Sequence, residues 1–451
     1  MKIVKKYGIP ATSIAIIVMA VVLRLYLYGD PRLAIGMGDT TSYIQSSHPT
    51  VFSWASLTGR RLFTMNLVYH IFVQDPNNCP LPVMIDPSKQ RQASRELQSC
   101  FDRIALLQNL LSIIGWSFLA WELSSRVKTS LYKILITIII LSFAISPQIA
   151  EWDSILSSES LTLSLFVICL ALLIEIAFQL LDDENENKRR IYIMLAGWLI
   201  VFSLWIFVQD ANLYFVLITL VLLMPLIIKG QLKNKAPMIT SLFLIGILVL
   251  GLVSSENSTR WQPSIEHSYE TFIFPYPARV NYIKGLGALD PNSASFTNWF
   301  NKRAPSVYLL FLASHPGFVA SNVFEHMYMF TSDYLQPYFN DPSVKFASSL
   351  IIWGRIFHPE SGDVFLIDTL LLAFLCYTAL KNKERTMTIW AWIGLWLYIS
   401  SAAALFIRYF GDTESVLRHV FPAVEFFRLQ LWILLIVQAD LLATKKNQSD
   451  V

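Results

Sequence analysis

The chain has 451 residues, of which 54% are hydrophobic, 14% aromatic and only 15% charged. A soluble domain fills its core with less apolar surface than this, so the composition excludes an ordinary soluble enzyme and favours a membrane protein. The formal net charge is only +3. The basic residues form short groups beside apolar runs, a pattern that does not predict a nucleic-acid partner and leaves membrane lipids as the expected surroundings.

Taken in chain order, the apolar runs predict about ten transmembrane helices. The first run follows Lys2, Lys5 and Lys6 and continues without a small-residue cleavage site, so we expect a retained helix rather than a signal peptide. The predicted spans cover residues 9–28, 104–122, 132–150, 159–181, 191–208, 212–228, 237–254, 363–380, 387–409 and 419–442.

Basic residues lie at every second end of these spans, as expected for short cytoplasmic loops. The intervening turns at 146–158 and 209–212 contain no Lys or Arg. This alternation predicts that both termini are cytoplasmic and that the active face is extracytoplasmic. The basic groups are Lys2/Lys5/Lys6, Arg126/Lys128/Lys133, Lys188/Arg189/Arg190, Lys229/Lys233/Lys235, Lys381/Lys383/Arg385 and Lys445/Lys446.

The expected fold is an all-α, polytopic transmembrane bundle with interfacial helices in two large extracytoplasmic loops. Leu62–Val73 is too short to cross a bilayer, and His315-Pro316-Gly317 interrupts Ala304–Phe330, so both segments are predicted to be interfacial. The predicted parts are an N-terminal transmembrane module at 1–254 that includes the first loop at 29–103, a large loop at 255–362, and C-terminal transmembrane helices at 363–451.

The cysteines and histidines do not predict a metal site. Cys79 and Cys100 share the first long loop, where an oxidising compartment would allow a disulfide, but their spacing leaves the pairing open. Cys169 and Cys376 lie in spans and are expected in the core. The seven histidines lack zinc-ligand spacing, and no P-loop or dinucleotide motif is present. We therefore expect no metal and no cofactor.

Polar residues gather where the chain leaves the predicted outer ends of the spans. Ionisable residues at such depth usually face the bundle interior or a water-filled cavity. A polar chamber near the outer leaflet is therefore expected. Its candidate residues are Asp39, Tyr43, Arg60 and Arg61 in the first loop, Asp153 and Glu159 around the fourth span, Asp210 in the next outer turn, and Arg418 and His419 at the last span.

Each candidate also has a purely structural explanation. Asp39 could cap a helix, Glu159 could complement a helix dipole, and Asp210 could belong to an ordinary polar turn. The arginines could interact with lipids of the bilayer instead of with a substrate. Arg24 and Arg408 could extend to the lipid headgroups, which we consider the better explanation for this pair, and Arg60 and Arg61 could hold lipid phosphates.

The segment 38–43, Gly-Asp-Thr-Thr-Ser-Tyr, resembles the first-loop carboxylate motif of the GT-C class of integral membrane glycosyltransferases. Protein O-mannosyltransferases and lipid A aminoarabinose transferases are the families in question. Ser158-Glu159 before an apolar run, and Arg418 four residues before Pro422, are similar to further features of these families. Thr40 stands where a second acid is usual and no Asp-x-Asp is present, which disfavours a metal-dependent, oligosaccharyltransferase-like enzyme.

The resemblance implies transfer of a sugar from a polyprenyl-phosphate-linked donor to a lipid, glycan or protein acceptor on the extracytoplasmic side. Asp39 is the expected general base. Arginine or histidine would stabilise the departing phosphate. The candidates for that role are Arg60, Arg61, Arg418 and His419, and the further candidate substrate contacts are Tyr43, Asp153, Glu159 and Asp210.

Two alternatives stay open at this point. A transporter or flippase of lipid-linked cargo also needs a polar chamber among its spans, although no internal repeat is visible and the polar groups concentrate at one face. A polymerase or ligase of lipid-linked glycans would use the same donor and a different acceptor.

Overall fold

The computed structural model describes residues 10–73, 79–85, 94–181, 188–228, 236–332 and 343–449. Several basic residues of the charge alternation lie outside this part of the chain, namely Lys2, Lys5, Lys6, Lys229, Lys233 and Lys235. The start of the first predicted span and parts of both predicted long loops also lie outside the described residues.

Helices dominate the described chain. Two-residue strands, β1 (Leu33–Ala34) and β2 (Glu96–Leu97), pair antiparallel. Short 3-10 turns cover Glu151–Ser154, Asp210–Asn212 and Met327–Phe330. The helices are α1 (Ala11–Tyr28), α2 (Thr40–Ser46), α3 (Trp54–Thr58), α4 (Phe63–Phe72), α5 (Asp102–Arg126), α6 (Ser130–Ile145), α7 (Pro147–Ala150), α8 (Ser158–Leu181), α9 (Lys188–Ile206), α10 (Leu213–Ile228), α11 (Ala236–Glu256), α12 (Trp261–Phe272), α13 (Pro277–Gly285), α14 (Phe296–Ser314), α15 (Pro316–Glu325), α16 (Ala347–Phe357), α17 (Asp363–Asn382), α18 (Arg385–Gly411) and α19 (Val416–Ser449).

Eight of the described helices are long and apolar enough to cross a membrane: α1, α5, α8, α9, α11, α17, α18 and α19. They coincide with eight of the predicted spans. Of the other two, 132–150 corresponds to a pair of helices bent by 54°, and 212–228 corresponds to α10, which has 16 residues. The chain is therefore an all-α, multi-pass integral membrane protein, as predicted. The side of the membrane on which each loop lies stays a prediction.

Proline sets the two sharp breaks in the helix pattern. Pro147 begins α7, and Pro316 begins α15 at 85° to α14. Proline lacks an N–H and its ring clashes with the preceding turn, so it begins a helix more readily than it continues one. The interruption predicted at 315–317 is confirmed. The short helix predicted at Leu62–Val73 is α4. The interfacial position of these helices remains a prediction.

Two apolar cores organise the described residues. The larger one surrounds α19, which packs against α6, α17 and α18 and is largely buried. The smaller one is rich in aromatic residues, and joins α12, α14 and the end of α18 through Tyr269, Phe272, Tyr308, Phe311 and Phe410. The described part of the 255–362 segment is thus helical and packed on the bundle. The division into three parts is an organisational prediction that the packing leaves open.

The cysteines occupy the places that the sequence suggested. Cys79 and Cys100 form a disulfide, with Cα atoms 5.9 Å apart. Cys169 is buried in α8, and Cys376 is half-buried in α17. The disulfide fixes part of the first long loop to Cys100, two residues before α5 begins.

Candidate active site

The first loop is held against the turn that precedes α8. The backbone N–H of Ile35 donates to Ser154 O at 2.9 Å, and the N–H of Leu156 donates back to Ile35 O at 2.9 Å. The Thr40 hydroxyl, fully buried, donates to Leu156 O at 2.8 Å. Thr40 therefore fixes the start of α2 beside the start of α8, which places Asp39 close to Glu159.

Asp39 lies at the start of α2, but its side chain makes no capping hydrogen bond. Its carboxylate instead accepts two charge-assisted hydrogen bonds. Arg61 Nη2 donates to Oδ1 at 2.5 Å, and Arg418 Nη2 donates to Oδ2 at 2.7 Å. The helix-cap explanation of Asp39 is therefore wrong, and its charge belongs to an ion cluster.

Arg418 connects Asp39 to a second carboxylate. Its Nε donates to Glu159 Oε1 at 2.7 Å, so one guanidinium binds both acids. Glu159 lies in the first turn of α8, and Arg418 lies in the first turn of α19. We call Asp39, Arg61, Glu159 and Arg418 the acid–arginine cluster. Two carboxylates and two guanidiniums make its formal charge zero.

The acid–arginine cluster has an open edge and a closed one. The side chains of Asp39 and Arg61 are 30% and 24% exposed, whereas those of Arg418 and Glu159 are 11% and 2% exposed. A ligand approaching from solvent or from the headgroup layer would reach Asp39 and Arg61 first. Glu159 lies behind them and holds Arg418 in position.

The two arginines control the proton affinity of Asp39. Burial raises the pKa of Asp39, but Arg418 and Arg61 lower that pKa more strongly, to about 2. Asp39 is therefore ionised at neutral pH. A carboxylate held in this way is a weak base until one of the arginines leaves it to bind another anion.

Two side chains that follow Asp39 orient Arg61. Arg61 Nε donates to Ser42 Oγ at 2.6 Å, and its guanidinium carbon lies 4.6 Å from the centre of the Tyr43 ring. Burial raises the pKa of Tyr43 to about 12, so the phenol is neutral. Tyr43 is buried beneath Arg61 and supports the guanidinium through a cation–π contact.

Other predicted residues lie in separate interactions. Asp153 is buried, forms an ion pair with Arg24, and accepts a hydrogen bond from Ser160. Asp210 pairs with Arg260 at 2.9 Å. Neither carboxylate belongs to the acid–arginine cluster.

Arg60 is exposed, and no ion pair involving it is seen within the described ranges. His419, next to Arg418, has its Nδ1 3.6 Å from Asp412 Oδ2. Its carbonyl accepts from Arg408, which also donates to Asn212 Oδ1. His419 therefore lies beside the acid–arginine cluster, next to Arg418, and its described contacts are to Asp412 and Arg408.

The expectation that Arg24 and Arg408 reach the headgroups is wrong. They are only 4% and 6% exposed. Arg24 binds Asp153 and donates to Ala144 O, and the partners of Arg408 lie equally inside the bundle. Both arginines connect helices, because hydrogen-bond acceptors on neighbouring segments lie at the same depth in the bundle as each guanidinium.

Sequence reasoning missed three contributors around the site. Ser42 contacts Arg61, Gln209 Nε2 donates to Ser158 Oγ at 2.8 Å, and Arg260 neutralises Asp210. Ser42 lies inside the quoted motif, and Arg260 closely follows a span that ends on the same predicted side as Asp210. These two positions carried a usable signal, whereas Gln209 carried none.

The described residues contain no group of three or more His, Cys, Asp or Glu side chains arranged to hold a metal ion. The chemistry that the acid–arginine cluster offers is anion recognition and proton transfer. The guanidiniums of Arg61 and Arg418 each donate to one oxygen of the Asp39 carboxylate, which lies between them.

No protein-family model and no curated protein matches the sequence. Among solved structures, the chain is similar to the archaeal oligosaccharyltransferase AglB from Archaeoglobus fulgidus, solved with an inhibitory peptide and a dolichol-phosphate, with a TM-score of 0.47 and 13% identity over 99% of this chain and 52% of that one. The apo form of the Archaeoglobus fulgidus oligosaccharyltransferase gives a TM-score of 0.44 and 13% identity over 93% of this chain and 50% of that one. The chain spans about half the length of these structures.

Proposed function

We propose that this protein is a membrane glycosyltransferase that moves a sugar from a polyprenyl-phosphate-linked donor to a lipid, glycan or protein acceptor on the extracytoplasmic side. The observation that supports this proposal is the position of Asp39 between Arg61 and Arg418, at the partly exposed edge of a buried ion cluster. We propose that a lipid-linked donor reaches this edge from within the bilayer, since the cluster lies at the ends of candidate spans.

The arginine geometry suits a phosphate. Arg61 and Arg418 donate to different oxygens of one carboxylate, so they could equally donate to two oxygens of one phosphate group. Glu159 would keep Arg418 in place during the exchange, because its bond to Arg418 Nε is separate from the bond that Arg418 Nη2 makes to Asp39.

In the proposed reaction, the oxygen of the acceptor hydroxyl attacks the anomeric carbon from the face opposite the phosphate. The new carbon–oxygen bond forms as the bond from the anomeric carbon to the phosphate oxygen breaks, and the electron pair leaves with that oxygen. The hydroxyl proton passes to Asp39. Arg61 and Arg418 stabilise the negative charge that develops on polyprenyl phosphate.

Donor binding would also activate the base. With both arginines bound, the pKa of Asp39 is about 2. A phosphate that draws Arg61 and Arg418 toward itself removes the interactions that lower this pKa. Asp39 then gains proton affinity when donor is present, which restricts proton abstraction to the loaded enzyme.

The other candidates have supporting roles in this proposal. Tyr43 and Ser42 orient Arg61 from beneath. Arg60 and His419, the sequence neighbours of Arg61 and Arg418, are proposed to contact the donor phosphate or the acceptor. Asp153 and Asp210, which the structure pairs with Arg24 and Arg260, are proposed to stabilise the outer turns around the chamber.

The test is turnover of a panel of polyprenyl-phosphate hexoses by the purified protein in lipid nanodiscs. Release of free polyprenyl phosphate, followed by mass spectrometry, reports cleavage whatever the sugar or acceptor. We expect Asp39→Asn to slow release by about two to four orders of magnitude. Asp30→Asn is the matched control, because Asp30 belongs to the same loop and pairs with the exposed Arg32.

A flippase would move the donor between leaflets without breaking the bond to phosphate. Intact donor together with leaflet exchange in sealed vesicles would therefore contradict the proposal. Sidedness is tested with Gly38→Cys, since a Cβ at Gly38 meets no atom within 4 Å. We expect a membrane-impermeant maleimide to label it from outside the cell, and labelling only from the cytoplasmic side would contradict the proposed orientation.

A further inference from the structure

A second polar feature lies within the membrane-spanning part of the bundle. Asp368 of α17 is fully buried, and neither carboxylate oxygen has a hydrogen-bond partner in the described protein. α17 is one of the eight candidate spans. Carboxyl groups inside a span are rare and usually paired, so a partnerless one indicates a ligand rather than a structural contact.

The helices around Asp368 fix its level in the bundle. Three residues before it, the Phe365 ring lies 5.0 Å from the ring of Phe427 in α19. Four residues after it, Leu372 approaches Gly394 of α18, as does Leu434 of α19; a Cβ at Gly394 would lie 2.9 Å and 3.4 Å from their methyl carbons. Gln430 lies three residues after Phe427 and four before Leu434, so it is at the level of Asp368.

Gln430 has the same unusual property as Asp368. It is 1% exposed, and both its amide nitrogen and its amide oxygen lack a partner in the described chain. Two apolar contacts, one turn above and one turn below, bracket Asp368 and Gln430 alike. The two residues therefore lie at the same level of α17 and α19.

α18 contributes a hydroxyl to this region. Tyr398 bonds Thr369 through its hydroxyl at 2.6 Å, and its ring lies 5.2 Å from Phe427. Ser401 follows Tyr398 by three residues and Gly394 by seven, so it lies on the same helix face but about one turn from Asp368, level with Phe365. Its hydroxyl is buried and also has no partner among the described side chains.

No cation of the described protein neutralises Asp368. From α18, the titratable group that faces this level is Tyr398. From α19, the nearest charged residues are Glu425 and Arg428, which bond to each other and turn to His358 and Thr331. On α17 itself, Asp363 lies at the exposed start of the helix.

We propose that Asp368 and Gln430 form a binding site for one monovalent cation, either a proton or Na⁺. A carboxylate and an amide oxygen are hard oxygen ligands of the kind that such cations prefer. One carboxylate neutralises one positive charge, so a divalent ion would leave an uncompensated charge inside the bundle. The site is separate from the acid–arginine cluster, and its proposal does not depend on the glycosyltransferase proposal.

The experiment measures thermal unfolding of the purified full-length protein in detergent between pH 5 and 9. Each pH is tested in NaCl and in choline chloride at the same ionic strength. In choline, we expect the midpoint to fall as pH rises and the carboxyl group becomes charged. Sodium restoring the midpoint at high pH, by at least about 3 °C, identifies Na⁺; a pH effect without sodium rescue identifies the proton.

Asp368→Asn should lose both dependences and match the wild-type midpoint at low pH, because the amide resembles the protonated acid. Asp363→Asn, the control on the same helix, should retain the wild-type behaviour. Gln430→Met keeps the charge and removes a ligand, so it should weaken the sodium effect even if Asp368→Asn fails to fold. Identical pH and sodium profiles for wild type, Asp368→Asn and Gln430→Met would overturn the proposal.

Discussion

Helix α19 carries two ion clusters that differ in one decisive respect. At its start, Arg418 binds Asp39 and Glu159 in the acid–arginine cluster. Ten residues later, Arg428 binds Glu425, which also accepts from His358 Nδ1 at 2.5 Å. Both clusters join α19 to other parts of the chain through arginine and carboxylate. The side chains of Glu425, His358 and Arg428 are at most 2% exposed, whereas Asp39 is 30% exposed.

In our proposal, this difference separates a structural contact from a binding site. The Glu425 cluster is closed on all sides: His358 Nε2 contacts Ser146 Oγ at 2.6 Å, and Arg428 donates to Thr331 O. A buried network of this kind fixes the helices that carry it. The acid–arginine cluster instead places an ionised acid and a guanidinium at an accessible edge. Charged groups at such an edge can exchange one partner for a ligand.

The largest expected effect breaks the closed cluster. Glu425→Ala leaves the buried Arg428 without its carboxylate, so we expect the free energy of unfolding to fall by about 3–5 kcal/mol. Denaturant unfolding in detergent measures this change. Asp30→Ala, which disrupts an exposed pair, serves as the control and should cost no more than about 1 kcal/mol. Equal effects of the two variants would show that burial does not distinguish the clusters.

The next effect falls on the open cluster. Arg418→Lys keeps the charge but cannot bind Asp39 and Glu159 with a planar fork, so we expect release of polyprenyl phosphate to slow by about two to three orders of magnitude. Arg428→Lys should act mainly on stability: we expect a lower unfolding midpoint and a smaller loss of rate per folded molecule than Arg418→Lys shows. If both lysine variants changed stability and rate in the same proportion, the functional distinction between the clusters would be lost.

The smallest effect is a difference between two pH profiles. The lowered pKa of Asp39, about 2, keeps its carboxylate ionised in the free protein at every pH above that value. The acid limb of kcat/KM due to Asp39 should therefore lie near pH 2, whereas the acid limb of kcat, which reports the donor complex, should lie at higher pH. Coincident limbs would contradict the exchange of arginines from Asp39 to phosphate.

The spans were predictable because apolar length is written directly in the sequence. The gathering of Asp39, Glu159 and Arg418 was predictable in outline, since all three occur where the chain leaves the spans on one predicted side. The sequence could not show the backbone bridge between Ile35 and Leu156 that brings these loops together. Contacts of this kind depend on how loops cross, and a linear pattern does not record that.

Buried polar pairs inside the bundle escaped prediction for another reason. A residue's position along a span indicates its depth, but the spans are apolar all round, so the sequence does not show which neighbouring helix a side chain faces. Arg24 and Arg408 were consequently assigned to the headgroups, whereas they bind Asp153 and Asn212. The link between His358 and Glu425 joins residues 67 positions apart and left no local signal.

Binding of polyprenyl phosphate, the proposed leaving group, tests most directly whether Asp39 and phosphate compete for Arg61 and Arg418. Affinity is measured in nanodiscs for wild type, Asp39→Asn and Arg418→Lys. We expect Asp39→Asn to bind polyprenyl phosphate at least as tightly as wild type while it loses turnover, because the competing carboxylate is gone, and Arg418→Lys to bind more weakly. Weaker binding by Asp39→Asn, equal to that of Arg418→Lys, would contradict the proposed exchange.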